Sequence, residues 1–147
     1  TSLSGLRGLT AVDGFTLGQN ALIKNFEGME ALKYFGANGL YVGNNEALVD
    51  FSGLKVTYIG ADFNVFGNAA LTSLKGLESV ELLAWTVSIR DNPLLASISA
   101  LSAVTELRGQ VTFSKNPLLP TCEVNAWLMP LGKPCACTGN DDAATCP

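Results

Sequence analysis

The chain has 147 residues, of which 48% are hydrophobic and 15% charged, with a formal net charge of −4 and no histidine. This size and apolar content predict one domain with a substantial core and exclude a chain disordered by composition. The acidic balance excludes the basic stripe that nucleic acid or an anionic membrane surface would need, and no apolar run approaches the roughly 18 residues of a membrane-spanning helix.

In chain order, the first element is a short strand around Phe15 and Leu17, whose alternation about Thr16 has the period of two of a half-buried strand. Asn20 follows, and after it the apolar spacing changes to three, through Ile23, Phe26, Met29, Leu32 and Phe35. The same phrase then recurs. Leu40 and Val42 precede Asn45, Phe63 and Val65 precede Asn68, Val87 and Ile89 precede Asn92, and Val111 and Phe113 precede Asn116. Cys135 and Cys137 stand in the same places before Asn140. The six asparagines are separated by 25, 23, 24, 24 and 24 residues. Asn44 would make the spacing uniform but would put Ala47 and Asp50 at apolar positions, so Asn45 is the frame residue.

A period in the low twenties, with units too small to bury an apolar face alone, predicts stacked repeats. The expected fold is an all-β solenoid, a β-helix of about six coils of about 24 residues, leucine-rich-repeat-like, with residues 1–121 as stacked coils and residues 122–147 as a disulfide-stapled cap of one repeat domain. An amide that both donates and accepts suits a buried corner, so Asn20, Asn45, Asn68, Asn92, Asn116 and Asn140 are expected to form a structural ladder. Gly14, Gly36, Gly39, Gly60 and Gly109 lie near strand starts or corners and are expected at positions that favour a positive φ.

All four cysteines fall in the last 26 residues. An even count at one terminus predicts disulfides and an oxidising compartment over a metal site, and no metal or cofactor is expected. Cys122 and Cys146 each lie six residues after a frame asparagine, which places them at one position of adjacent repeats, about 4.8 Å apart, within reach of a disulfide. This pairing is favoured, but it leaves Cys135 and Cys137 at the edge of bonding range, so the other two connectivities stay open. The segment between Cys122 and Cys135 opens with one or two predicted helical turns before Pro130 that present Val124, Trp127 and Leu128 as a lid.

The stretches "NPLLASISALSAV" and "LTSLKGLESV" resemble the repeats of receptor L domains, and "NPLLPTCEV" followed by "CTGNDDAATCP" is similar to the cysteine-bearing end of bacterial members of that family. The resemblance spans essentially the whole chain, although no N-terminal cysteine cap is found. It implies a right-handed β-helix and ligand recognition on secreted or cell-surface proteins, with a protein or carbohydrate ligand, and it carries over no catalytic motif. The absence of any N-x-Ser/Thr triplet favours a bacterial over an animal source.

The expected binding place is the outward strand face, where Tyr41, Phe66, Trp85 and Arg90 are the residue types that anchor interfaces. Two other readings compete. A front end without a cap exposes strand edges, which predicts end-to-end self-association of a structural spacer in a longer surface protein. Carboxylates such as Asp50 with Asp62, or Glu78 with Glu81, would serve a polysaccharide-active enzyme, and "GNDD" from Gly139 to Asp142 would hold calcium, but acidic residues more often form a solvated face. The absence of histidine removes Ser-His-Asp and Cys-His arrangements.

Overall fold

A computed structural model describes residues 2–146. Among the described residues nine strands form one parallel sheet: β1 (Ala11–Gly18), β2 (Tyr34–Gly43), β3 (Tyr58–Ile59), β4 (Phe63–Phe66), β5 (Leu82–Leu83), β6 (Val87–Arg90), β7 (Glu106–Leu107), β8 (Val111–Ser114) and β9 (Ala136–Thr138). The path runs β7-β5-β3-β2-β4-β6-β8-β9, with β1 paired to β2. β2 is the branch point. Its first residues pair with β3 and its last four with β4, because it is long enough to take two short neighbours end to end.

This corrects the expected fold class. The described chain forms a single parallel sheet rather than a right-handed β-helix solenoid, and strand residues are a minority. The physical reason lies in the residues spaced by three. A β-helix needs them to supply further strands, but they run as successive turns closed by bonds from residue i+3 back to residue i. Met29 donates to Phe26 and Leu32 to Met29, each at 3.1 Å, and the pattern repeats from Leu54 to Phe51, Leu77 to Leu74 and Val80 to Leu77. A turn of this kind returns an apolar side chain to the core every third residue without building a sheet.

Register follows from burial. Phe63, Val65, Val87, Ile89 and Phe113 are fully buried, while Asn64, Ser88 and Thr112 between them are only partly covered. Phe63 pairs with Val87 and Val87 with Val111, so like residues meet across each pair. A slip by one residue would drive the polar set inward. The turn residues complete the core: the rings of Phe26 and Phe51 stack at 5.1 Å, and Phe51 meets Phe63 edge-on. Burying each such side chain contributes about 1.5–3 kcal/mol.

The glycine expectation needs revision. Of the five named from sequence only Gly39 has a positive φ, 70°. Gly109 and Gly14 serve close approach instead, since a Cβ there would strike Trp85 backbone or Asn38. The left-handed glycines of the turns are Gly28, Gly53 and Gly76, with φ of 103°, 104° and 106°, packed against the backbone of the preceding repeat. In the next repeat Ala100 holds the equivalent place, and the chain adopts a 3-10 turn at Ser99–Leu101. Gly53→Ala is therefore expected to cost about 2 kcal/mol, from strained φ plus contact with the Phe26 backbone, read as a lower urea midpoint.

At the C-terminal end, helix α1 (Thr121–Leu128) buries Val124 and Leu128. Trp127 meets Phe113 edge-on and donates its indole N–H to the Leu101 carbonyl at 3.0 Å. Glu123, in the first turn, accepts from Ser97 Oγ and the Ile98 backbone, both at 2.8 Å. Two disulfides close this region, Cys122–Cys146 with Cα atoms 5.8 Å apart and Cys135–Cys137 at 5.2 Å.

Candidate functional site

Each frame asparagine follows a residue in the left-handed region: Gln19, Asn44, Gly67, Asp91, Lys115 and Gly139, with φ between 55° and 68°. That conformation turns the chain out of the strand and carries the next amide into the interior. Asn45, Asn68, Asn92 and Asn116 are fully buried. Asn68 Oδ1 accepts from the Asn45 backbone N–H at 3.1 Å, while its Nδ2 donates to the Val42 and Phe66 carbonyls, each at 3.1 Å. Asn92 and Asn116 repeat the pattern on Val65 and Ile89, and Asn140 continues it on Phe113. Asn20, at the front, donates to Gly18 and takes Asn45 Oδ1 on its backbone N–H. These six residues hold the scaffold, and no buried side-chain N or O among the described residues lacks a partner.

The outward face is built by register. Thr16, Tyr41, Asn64, Ser88 and Thr112 form one row across β1, β2, β4, β6 and β8, and Gly18, Gly43, Phe66, Arg90 and Ser114 form the next. Where Gly43 lacks a side chain, the Phe66 ring lies over its backbone, so that a Cβ at Gly43 would strike the ring. The Arg90 guanidinium sits over the same ring, 4.7 Å from its centroid, and meets Asp91 at 3.2 Å. Tyr41 donates its hydroxyl to Asp62 Oδ2 at 3.2 Å. Beside these residues is an open depression of about 610 Å³ lined by Thr16, Gly18, Gln19, Tyr41, Gly43, Asn44 and Phe66.

No family model, curated protein or solved structure matches the chain.

The structure thus brings Tyr41, Phe66 and Arg90 together and leaves Trp85 apart. Trp85 lies between β5 and β6, is 64% exposed, and has Gly109 packed on its backbone. Sequence reasoning missed Gln19 and Asn44. Their signal is the position just before each frame asparagine, where the left-handed backbone sets a polar side chain beside the strand face.

Of the carboxylates considered for chemistry, Asp50, Asp62 and Glu78 are occupied locally. Asp50 accepts from the Ser52 N–H, Asp62 Oδ1 from the Thr86 N–H, and Glu78 from the Gly76 N–H. In the Gly139–Asp142 loop, Asn140 joins the ladder, Asp141 accepts from Ala143 and Ala144, and Asp142 takes the Thr121 hydroxyl. These side chains turn to different partners. Among the described residues no group of three or more His, Cys, Asp or Glu is placed to hold a metal, and no helix is long and apolar enough to cross a membrane.

Burial, and then the neighbouring Asp62 carboxylate, raise the Tyr41 phenol above the ordinary tyrosine value. A raised folded pKa stabilises the fold fully below the ordinary tyrosine range, and that contribution is lost as pH climbs through the folded value. Asp62→Asn is expected to bring the Tyr41 transition part of the way back down, since burial, the larger cause, remains. Tyrosinate absorbance in a Tyr34→Phe, Tyr58→Phe background reads it directly.

Proposed function

We propose that the chain is a non-catalytic recognition or adhesion module of a secreted or cell-surface protein, which binds a protein or glycan ligand through the face around Tyr41, Phe66 and Arg90. The observation that carries this reading is the Phe66 ring held between the Gly43 backbone and the Arg90 guanidinium beside an open depression. Aromatic and arginine side chains fixed in place lose little entropy on binding, which is what makes them anchors. The likeness of the repeats to receptor L domains supports the same role. Two disulfides support an oxidising compartment.

Tyr41→Ala, Phe66→Ala and Arg90→Ala together are expected to weaken binding to isolated cell-wall material and intact cells by more than about tenfold, with little change in the urea midpoint. Unchanged binding by a folded triple variant would overturn the proposal.

A second reading, a structural unit that associates end to end, is favoured by one feature: among the described residues β1 pairs only with β2, leaving its other edge open. A monomeric mass at high protein concentration would remove it.

A further inference from the structure

The depression on the strand face has a specific chemical character. Gly18 and Gly43 are neighbours in register, so two side chains are missing from one row; the Phe66 ring covers Gly43, and beside it the floor at Gly18 is backbone. Tyr41 and Thr16 stand on one side, Phe66 closes the end, and Gln19 and Asn44 stand on the other. Both amide residues are held in the left-handed region, at φ of 57° and 56°. The ladder consumes the Asn45 amide, whereas those of Gln19 and Asn44 have no hydrogen-bond partner among the described residues. None of the seven lining residues is charged. Asp62 is engaged by the Tyr41 hydroxyl, and Arg90 lies over Phe66 and pairs with Asp91.

We infer that this slot binds a neutral saccharide residue of a glycan. The inference rests on the recognition reading above and names its ligand class. A pyranose ring offers apolar C–H groups to the Tyr41 ring and the Phe66 edge, and a rim of hydroxyls that both donate and accept. An amide is the side chain that answers both, with its carbonyl accepting and its NH2 donating. A lining of aromatic and backbone surface with a few convergent polar groups is the usual composition of a small-ligand site, and the volume falls in the usual range. The uncharged lining disfavours phosphates, carboxylates and acidic sugars, which would lose hydration without gaining a counter-charge.

Gly18 makes the test clean. A Cβ there would approach nothing closer than the Gly43 carbonyl oxygen at 3.6 Å, an ordinary contact, and φ is not positive. A Cβ at Gly18 therefore enters the slot without striking the fold. The experiment is an amide-shift NMR titration with glucose, galactose, mannose, N-acetylglucosamine and their β-linked disaccharides, run on the wild type, Gly18→Ala and Gly18→Val. Saturable shifts are expected at Gly18, Gln19, Gly43 and Asn44 with at least one of these sugars. Gly18→Val is expected to weaken that binding by about tenfold or more with an unchanged urea midpoint, and Gly18→Ala by less. Absence of saturable shifts, wild-type affinity in folded Gly18→Val, or tighter binding of glucuronate than glucose would each overturn the inference. In that event, a loss of wall binding in the Tyr41, Phe66 and Arg90 triple variant would leave the recognition reading standing without the sugar. Unchanged wall binding as well would remove both.

Discussion

Asn92→Ala is expected to lower the unfolding free energy by about 3–5 kcal/mol. Asn92 Oδ1 accepts from the Asn68 backbone N–H at 3.1 Å and from Asn68 Nδ2 at 3.2 Å. Its Nδ2 donates to the Val65 carbonyl at 3.2 Å and the Arg90 carbonyl at 2.9 Å. All of this lies where Asn68, Asn92 and Asn116 have no solvent exposure. Alanine deletes both halves of the amide at once, leaves the Asn68 N–H buried without its acceptor and takes one donor each from the Val65 and Arg90 carbonyls. An orphaned buried N–H costs about 1–3 kcal/mol, and each further lost bond adds to it.

Asn92→Asp is expected to be at least as damaging, because a carboxylate keeps the acceptor but turns oxygen toward two carbonyls and buries a charge. Asn20→Ala is the internal control. Asn20 is only partly buried, and its Nδ2 serves the Gly18 carbonyl alone, so the same chemical change is expected to cost about 1 kcal/mol. Urea denaturation of the three variants checks the gradient. An Asn92→Ala loss no larger than that of Asn20→Ala would mean that water replaces the ladder.

Opening the Cys122–Cys146 bridge, by Cys122→Ser with Cys146→Ser, is expected to cost about 3–4 kcal/mol in the chain-entropy account, since it closes a segment with a sequence separation of 24. The bridge sits in line with the Phe26 and Phe51 stack, at the sixth position after Asn116 and Asn140. It also ties α1 to the last residues, where Pro120 bridges Asp141 and Thr121 bonds Asp142. The variant is therefore expected to be cut first by protease between residues 139 and 146. Serine at both Cys135 and Cys137, whose separation is 2, is expected to cost less than about 2 kcal/mol, because that bridge restrains little of the unfolded chain. A double-serine variant at Cys122 and Cys146 with wild-type stability and protease resistance would show that the helix alone secures this end.

The sequence by itself determined what repetition and burial dictate. A frame asparagine every 24 or so residues, apolar positions before it at a spacing of two and after it at a spacing of three, and two cysteines at one frame position are all legible, because each records a local need met in every repeat. Phe26, Leu71, Leu95 and Leu119 are buried as their spacing implies. What only the tertiary structure decided is how the spacing-of-three segments run and what stands beside what on the surface. An apolar residue at every third place satisfies either further strands or a chain of turns. The competition is settled by backbone bonds within the segment, such as Leu77 to Leu74, and by left-handed glycines like Gly76 that nest against the preceding repeat. That is why the expected solenoid of strands gives way to one branched parallel sheet. The candidate site depends in the same way on neighbours remote in sequence. Phe66 reaches over Gly43, Arg90 reaches over Phe66, and Gly18 lies beside Gly43 only through pairing between strands some 24 residues apart. Trp85, chosen for its residue type and expected exposure, is exposed but falls outside that group, because neither property says which row of the sheet a residue joins.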